Sequence, residues 1–288
     1  EGIRDQIARV APPLIARHAV VRVGVGFGGP VDAVAGRTVR SFQIEGWENF
    51  ALREWCQDMF GVPALIENDS NLAGLGEARF GAGRGARIVF YSNVGSGIGG
   101  ALVIDGSLYP GGAGTAVAEI GHLRPGPQAV DAVDTVESIA SGWGIAAAAA
   151  RRCADVDASR RDGDGVQLLA LSGNASLSGK TVLDAAADGN ALALEVVGAA
   201  VRTYGWALAQ AITLIAPNVV VVGGGVAQVG EQLFFNPLRQ EVARYVFPPL
   251  RGTYRLVPAA LGEEVVLHGA LALAADGGPA PSRPHDDA

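Results

Sequence analysis

Residues 62–80 read VPALIENDSNLAGLGEARF, an apolar run that passes through five polar residues into a second, partly apolar pattern. Val62–Ile66 predicts a short buried strand, because a brief apolar run beside turn residues is typical of strands. Ser70–Phe80 predicts a helix. The polar residues 67–71 therefore lie where a strand gives way to a helix, which is the repeating unit of α/β folds.

The same alternation extends in both directions along the chain. Before the quoted stretch, Val20–Gly26 predicts a strand and Trp47–Phe60 a helix, which gives a β-α-β-α order. Further strands are predicted at Arg87–Val94, Ala101–Ile104 and Val219–Val222, and further helices at Ile3–His18, Thr135–Cys153, Asn190–Ile215 and Gln228–Tyr245. The sequence therefore predicts an α/β architecture.

Length and composition narrow the class of protein. At about 150 residues per domain, 288 residues predict two domains. Residues 154–180, rich in Asp, Ser and Gly, are predicted to form a surface excursion, and residues 276–288, DGGPAPSRPHDDA, a loose tail. Glycine numbers 41, without the Gly-X-Y period of collagen and with a hydrophobic fraction of 49 %, so collagen-like and disordered chains are excluded.

Charge and cysteine content point to an acidic enzyme or binding protein. The net charge is −7, with no block of like charge, which argues against partners such as nucleic acid or an anionic membrane. The two cysteines, Cys56 and Cys153, are too few for a disulfide framework or a Cys-rich metal site, so a reducing cytoplasm is expected. No apolar run reaches the roughly 18–20 residues that a membrane helix needs.

The polar segment Glu67-Asn68-Asp69-Ser70-Asn71 is the first candidate site. Ligands of open α/β sheets bind at the carboxyl ends of strands, so a carboxylate here can face a ligand. Asp69 can then accept a proton from an alcohol, and Asn68 offers both a donor and an acceptor to a polyol. The alternative is structural, because Asn, Asp and Ser are also the preferred caps of a helix N-terminus.

Two glycine-rich turns are candidates for binding a nucleotide. Asn93–Gly100 lies between predicted strands, where backbone N–H groups at Gly95, Ser96 and Gly97 can surround an anion and the Ser96 hydroxyl can add a donor. Val219–Gly225 ends in Gly223-Gly224-Gly225, which can lie flat against a base or ribose. A hairpin turn and close strand–helix packing are the structural alternatives, and neither segment is a Walker or dinucleotide motif.

A third group combines two carboxylates with an imidazole. Glu119 and His122 lie in Glu119-Ile120-Gly121-His122, and Glu137 follows fifteen residues after the histidine. Such side chains can hydrogen-bond several hydroxyls of one sugar ring, whereas an ordinary surface loop is the competing interpretation. A metal site is less favoured, because one His and two Glu without thiolates make an undistinguished ligand set.

In this order the motifs resemble the ROK family of repressors and sugar kinases, which has the two-lobed actin-like ATPase (ribonuclease H-like) fold. The resemblance covers nearly the whole chain and rests on GVGFGGPVD, GW, PALIENDSN, GEARFGAG, GSGIGG, AEIGH, ESIASG, APNVVVVGGG and HGALALA. It implies ATP-dependent phosphorylation of a hexose, with Mg²⁺ accompanying ATP. A sugar-sensing repressor and a non-catalytic sugar-binding remnant are the alternatives.

The resemblance also implies roles for individual residues. Asp69 matches the catalytic base, and Ser96 stands where the family usually has Thr in its second phosphate loop. The positions that match sugar-binding residues are Gly29, Asn68, Glu119, His122 and Glu137. The positions that match the phosphate loop and the adenosine region are Gly95, Ser96, Gly97, Gly223 and Gly224.

The chain departs from the family pattern at three places. LRPGPQAVDAVDTV follows His122 without any cysteine, so no zinc is expected. The usual Pro-Asn before Gly-Trp is replaced by Phe42-Gln43, which points to altered sugar selectivity. The family's opening hairpin, with an Asp-x-Gly-Gly-Thr phosphate loop, has no counterpart after Glu1, and we expect upstream residues to supply it or, in a repressor, a DNA-binding helix-turn-helix.

The resemblance finally implies a domain plan. A small sugar and phosphate lobe is expected over residues 1–81 plus about 263–275, and a large nucleotide-binding lobe over residues 82–262. The substrate cleft is expected at Asp69, with closure of the lobes excluding water. Homodimers are common in the family, so a homodimer is a further expectation.

Overall fold

The computed structural model describes residues 2–40, 45–112, 114, 117–155, 163–172 and 176–277. Phe42, Gln43 and most of the predicted tail, residues 278–288, lie outside these ranges. The described chain alternates strands and helices along its length, which confirms the predicted α/β class.

Helices and strands follow one another in nearly the predicted order. The described α-helices are α1 (Ile3–Arg17), α2 (Leu52–Phe60), α3 (Asp69–Arg79), α4 (Val136–Ala140), α5 (Gly142–Asp155), α6 (Gly163–Ser172), α7 (Gly179–Ala187), α8 (Ala191–Ile215), α9 (Asn236–Tyr245) and α10 (Val265–Asp276). The described strands are β1 (Val23–Phe27), β2 (Val31–Asp32), β3 (Arg37–Thr38), β4 (Ala64–Asn68), β5 (Ile88–Val94), β6 (Ile98–Ile104), β7 (Ser107–Leu108), β8 (Val219–Gly223) and β9 (Arg255–Pro258).

The chain divides into two compact units. Unit 1 takes in the described residues of Glu1–Gly85, Ala101–Val117 and Leu261–Ala288. Unit 2 takes in those of Ala86–Gly100 and Ala118–Ala260. Unit 1 therefore combines the two ends of the chain with one central segment, and unit 2 holds most of the remainder.

Unit 1 is built on the parallel pair β1 and β4, in which Phe27 is the register partner of Asn68. An aromatic cluster fills the space beside this pair: the ring of buried Trp47 lies 5.7 Å from that of Phe27 and 5.2 Å from that of Phe50. Because the two strands run in the same direction, their carboxyl ends meet at one edge. That edge holds the polar segment that the sequence singled out.

Helix α10 approaches α3 and β1 at backbone distance. A Cβ at Gly269 would lie 1.8 Å from the carbonyl oxygen of Leu72, and one at Gly24 would lie 2.1 Å from that of Ala270. Only residues without a side chain permit such an approach. The C-terminal helix is thereby fixed against α3, the helix that begins with Asp69.

A buried carboxylate on α3 links the residues that follow α3 to the residues that precede α10. Glu77 is fully buried. Its Oε2 accepts a hydrogen bond from Ala82 N at 2.7 Å and its Oε1 one from Leu261 N at 2.8 Å. A buried carboxylate is tolerated when its oxygens are bonded in this way. Glu77 therefore ties the residues after α3 to those before α10.

Unit 2 is organised around β8, whose residues are all buried. It lies between β5 and β9 and runs parallel to both. The continuous apolar run Val219–Val222 suits a parallel strand that is covered on both faces. Helix α8 contributes many core residues, among them Tyr204, Leu208 and Ile212.

Three predicted helices differ from the structure. The helix predicted at Trp47–Phe60 begins only at Leu52, because the backbone before it is bonded to β3 through Phe50 N and Thr38 Oγ1 at 3.1 Å. Thr135–Cys153 forms two helices, because Ser141 adopts an extended conformation and its Oγ accepts a hydrogen bond from Gly144 N at 3.1 Å, which caps α5. Gln228–Tyr245 is α-helical only from Asn236. A 3₁₀ turn at Gly225–Val229 and a π turn at Glu231–Phe235 precede that helix.

Two predicted irregular segments contain regular structure. The surface excursion expected at 154–180 includes helix α6, whose Leu168 is fully buried, and the start of α7. Strand β6 begins at Ile98 rather than Ala101, so its glycines belong to the strand. A Cβ at Gly100 would lie 2.4 Å from Ala118 O, which explains why glycine is needed inside this strand.

None of the helices in the described ranges is long and apolar enough to cross a lipid bilayer.

Candidate functional site

Three of the predicted site residues meet at the carboxyl ends of β1 and β4. Asn68 is the last residue of β4, and its Nδ2 donates to the carbonyl oxygen of Gly29 at 3.0 Å. The same nitrogen donates to Oδ1 of Asp69 at 3.0 Å. Gly29 has φ +148°, and a Cβ there would lie 2.7 Å from Arg40 O, so the turn requires glycine. The turn after β1 is thus bonded to the segment after β4.

Asp69 is the first residue of α3, and its carboxylate is held by its neighbours. Oδ1 accepts a hydrogen bond from Ser70 N at 2.8 Å in addition to the bond from Asn68. A Cβ at Gly28 would lie 3.6 Å from Oδ2 of Asp69, so this second oxygen faces the turn after β1. The half-buried carboxylate is fixed in one orientation, as a proton acceptor at a defined position must be.

Burial raises the pKa of Asp69, and its hydrogen bonds to the Ser70 backbone and to Asn68 offset part of this effect. These hydrogen bonds favour the ionised form, whereas burial disfavours it. The arrangement therefore presents a carboxylate that can accept a proton, next to a turn of glycines.

Asn68 also caps α3, so both interpretations of this segment hold. Its Oδ1 accepts hydrogen bonds from Ser70 N at 2.9 Å and Asn71 N at 3.1 Å. With the two bonds that Nδ2 donates, both ends of the amide are occupied within the protein. In this conformation Asn68 positions Asp69, and a direct bond to a ligand requires one of these four bonds to be exchanged.

Glu67 is a further carboxylate that the sequence placed in the segment without assigning it a role. It is buried, and its Oε1 accepts hydrogen bonds from Asn68 N and Asn71 Nδ2, both at 2.9 Å. Burial raises the pKa of Glu67 above its usual value, and these two hydrogen bonds offset only part of this effect. Glu67 braces the turn that carries Asp69 from the side of the strand. The sequence feature that could have indicated this supporting role is the position of Glu67 directly before Asn68.

In unit 2, Gly95, Ser96 and Gly97 form the tight turn between β5 and β6. The turn is closed by a hydrogen bond from Gly95 N to Gly97 O at 2.9 Å. Gly142, the first residue of α5, donates its N–H to Gly95 O at 2.7 Å. The hairpin that was the structural alternative is therefore present, and it is bonded to the start of a helix.

Glu137 lies against the same turn. Its Oε2 accepts a hydrogen bond from Ile98 N at 2.6 Å, and a Cβ at Gly97 would lie 2.6 Å from this oxygen. The resemblance assigns Glu137 to sugar binding, whereas the bond seen here anchors the glycine turn. No sequence pattern indicates this bond, because Ile98 and Glu137 are far apart along the chain.

Gly223 and Gly224 lie at the end of β8, beside the glycine turn. Gly223 is the register partner of Asn93 in β5. Gly224 has φ +92°, and a Cβ there would lie 2.4 Å from Val94 O. The ends of β5 and β8 are thus in backbone contact, so Gly224 serves the close packing of two strand ends and not the strand–helix packing that was the structural alternative.

A cavity of about 1060 Å³ opens next to these strand ends, wholly within unit 2. Its lining comes from the glycine turn, α5, α7 and the residues after β8, and includes Gly95, Ser96, Trp143, Lys180 and Gln228. Pockets for small ligands have volumes of roughly 300–1,000 Å³. The cavity therefore has the size for a nucleotide, and Ser96 belongs to its wall.

Glu119 and His122 lie at the two ends of the turn Ile120–His122, and both side chains are exposed. Ile120 anchors this turn in the core of unit 2. Leu123 O accepts a hydrogen bond from Val136 N at 2.9 Å, which holds the turn close to α4 and so to Glu137. The third predicted group is therefore carried by two neighbouring segments of unit 2.

In the described part of the chain, no group of three or more His, Cys, Asp or Glu side chains is placed to hold a metal ion.

Comparison with known proteins places these features in a family. The glucokinase of Thermotoga maritima is 32 % identical over 279 residues, which cover 94 % of this chain and 86 % of that protein. A ROK family glucokinase from Streptomyces griseus, solved with glucose and AMPPNP, superposes with a TM-score of 0.79 at 31 % identity, over 96 % of this chain and 88 % of that one. This likeness confirms the predicted actin-like ATPase fold.

Regulators of transcription are also among the relatives. The xylose repressor of Caldicellulosiruptor bescii is 23 % identical, over 88 % of this chain and 62 % of that protein. The sequence model of the ROK family matches residues 1–277. The chain belongs to the ROK family.

Proposed function

We propose that this protein is an ATP-dependent sugar kinase that phosphorylates a hexose, with glucose as the first substrate to test. The observation that carries the proposal is the carboxylate of Asp69, fixed by Asn68 and Ser70 at the end of β4. The glucokinases among its relatives supply the substrate class.

The step assigned to Asp69 is the removal of a proton from the attacking hydroxyl. The sugar oxygen forms a bond to the γ-phosphorus of ATP, the bond from that phosphorus to the β-phosphate oxygen breaks, and ADP leaves. The proton of the hydroxyl passes to the Asp69 carboxylate. Phosphoryl transfer asks the protein mainly for positioning, which the bonds from Asn68 and Ser70 provide.

We assign nucleotide binding to unit 2. The general base that takes the proton of the sugar hydroxyl, Asp69, belongs to unit 1. Gly95, Ser96 and Gly97 are proposed to contact phosphate oxygens, and Gly223 and Gly224 to lie beside the adenosine. The cavity lined by Gly95 and Ser96 has room for the nucleotide. Mg²⁺ is proposed to arrive on the phosphates, since this ion usually binds through one or two carboxylates plus substrate phosphates and needs no closed protein cage.

The proposed sugar contacts are Gly29, Asn68, Glu119, His122 and Glu137. Asn68 is expected to act partly through Asp69, because its amide is occupied by four protein bonds. We further propose a cytoplasmic protein that acts on small molecules, does not itself bind nucleic acid and forms a homodimer.

A panel of sugars tests the proposal. The full-length protein is screened for thermal stabilisation by glucose, mannose, fructose and N-acetylmannosamine, and each stabilising sugar is then assayed for ADP release from ATP. ADP release that depends on one of these sugars supports the kinase. Stabilisation by a sugar without any ADP release would instead favour the sugar-sensing repressor, a function favoured by the xylose repressor relative.

The activity is expected to fall at acidic pH. Burial raises the pKa of Asp69 above the usual aspartate value of about 3.9, and the base acts only when ionised. As the pH falls through the raised pKa, Asp69 takes up a proton and kcat/KM declines. A pH–rate profile with a stability control at each pH tests this. An acid limb centred at or below the ordinary aspartate pKa would contradict it.

Gly97→Ala is expected to weaken ATP binding. The new Cβ would meet Oε2 of Glu137 at 2.6 Å and displace this oxygen from Ile98 N, which loosens the glycine turn. We expect the KM for ATP to rise about tenfold, the effect of roughly 1.4 kcal/mol, and the KM for sugar to rise as well, because Glu137 is also a proposed sugar contact. Gly163→Ala is the matched control, because its Cβ would meet no atom within 4 Å. Equal KM values for the two variants would refute this role of the turn.

A further inference from the structure

Trp143 is the second residue of α5 and lines the cavity of unit 2. Its side chain is 74 % exposed, although tryptophan is on average a highly buried residue. An exposed indole at the wall of a cavity leaves a large apolar face open to whatever enters there.

The face of α5 that lines the cavity beside Trp143 carries only small residues. On α5 the lining residues are Trp143, Ala146, Ala147 and Ala150, which follow the i, i+3, i+4, i+7 spacing of a single helix face. The lining on α7 combines the small residues Gly179 and Ala187 with Lys180, Leu183 and Asp184. Trp143 therefore stands at the N-terminal end of an alanine face of α5, which leaves room beside its ring for a flat group.

The same cavity is lined by Gly95 and Ser96 of the glycine turn. A ligand whose phosphates reach Ser96 therefore shares its cavity with Trp143. Aromatic side chains bind nucleobases by stacking, which tolerates any base because every base has a π face. The phosphate groups themselves gain nothing from an indole ring.

We propose that Trp143 is the residue on which the base of the phosphoryl donor stacks. This inference rests on the proposed function, because it takes the cavity as the nucleotide site. Trp143 is then a specificity-determining residue: it favours a nucleoside triphosphate over a donor that has phosphates and no base, and it discriminates weakly among bases.

Calorimetric titration with ATP, in the absence of sugar, tests the proposal on the full-length protein. Trp143→Ala is expected to raise the Kd for ATP by about 5- to 150-fold, the range that corresponds to loss of one stacked base. Trp143→Phe retains a ring and is expected to lose much less. Phe247→Ala is the matched control, since Phe247 is 53 % exposed in unit 2 and is not part of the cavity wall.

Fluorescence provides a second readout that does not depend on the alanine variant folding. ATP is expected to change the tryptophan emission of the wild type and of Phe247→Ala, and this change is expected to be lost in Trp143→Phe. Inorganic tripolyphosphate, which has no base, is expected to leave the emission of the wild type unchanged.

The inference is overturned if Trp143→Ala binds ATP within twofold of the wild type, or if the ATP-dependent change in emission persists in Trp143→Phe. A wild type that phosphorylates sugar with ATP, together with a Trp143→Ala variant of unchanged ATP affinity, refutes the stacking role alone. A wild type that neither binds nor consumes ATP refutes the proposed function itself.

Discussion

Asp69→Asn is expected to lower the rate of phosphoryl transfer to glucose by about 10²–10⁴-fold, the usual contribution of a general base. An amide at this position retains an oxygen for the bonds from Ser70 N and from the Asn68 side chain. It cannot take the proton of the attacking hydroxyl. The loss should therefore appear in kcat, while the sugar Kd measured by calorimetry changes little.

The stability of this variant has a predictable sign. Because burial raises the pKa of Asp69, the folded state favours the protonated carboxyl, and the charged form is a cost to folding at neutral pH. This cost is present above the raised folded pKa and disappears as the pH falls below the unfolded value. Asp69→Asn removes the cost, so its Tm at neutral pH is expected to equal or exceed that of the wild type.

Asp58→Asn is the matched control for the charge change, because Asp58 is an exposed carboxylate on α2 of the same unit. It is expected to keep both kcat and Tm. If Asp69→Asn retained more than a tenth of the wild-type kcat, the assignment of the base would be wrong. A loss of kcat accompanied by a large fall in Tm would show that the residue is structural.

Gly269→Ala is expected to cause the largest loss of stability. The added Cβ would lie 1.8 Å from the carbonyl oxygen and 2.5 Å from the carbonyl carbon of Leu72, so helix α10 must move away from α3. Overpacking of this kind costs about 1–3 kcal/mol and sometimes more. Alanine's better helix propensity returns only about 1 kcal/mol. Thermal unfolding monitored by circular dichroism should show a Tm several degrees lower.

Gly198→Ala provides the matched control on another helix. Its Cβ would meet only Nη1 of Arg202, at 3.4 Å, and this flexible side chain can move. The substitution is expected to leave Tm unchanged or to raise it, because alanine favours the interior of α8 by about 1 kcal/mol over glycine. Equal Tm values for Gly198→Ala and Gly269→Ala would contradict the close approach of α10 to α3.

The end of β4 shows what the sequence can predict about this site. A strand followed by Asn68-Asp69-Ser70 contains both the apolar run and the capping residues in adjacent positions, so the location of Asp69 follows from local patterns. The observed strand and helix, Ala64–Asn68 and Asp69–Arg79, lie within two residues of the predicted ones. No local pattern reveals that the amide of Asn68 makes all its hydrogen bonds within the protein, to Gly29, to Asp69 and to the first turn of α3.

Contacts between distant residues account for most of what the sequence missed. The bond from Ile98 N to Glu137 and the approach of Gly269 to Leu72 join segments far apart in the chain, and neither leaves a periodic signal. Helix α6 lies in a segment whose polar flanks suggested a surface loop, yet the burial of Leu168 holds it to the core. The break between α4 and α5 combines the local cap by Ser141 with a tertiary contact, the bond of Gly142 N to Gly95 O.

The most direct test of the proposed sugar kinase is to identify the product. The full-length protein is incubated with ATP, Mg²⁺ and each sugar of the panel, and the reaction is followed by ³¹P nuclear magnetic resonance. We expect the γ-phosphate signal of ATP to decline while the signal of a sugar 6-phosphate ester and that of ADP grow in equal amounts. A folded protein that binds ATP and a hexose, yet forms no phosphate ester with any sugar of the panel, would contradict the proposal.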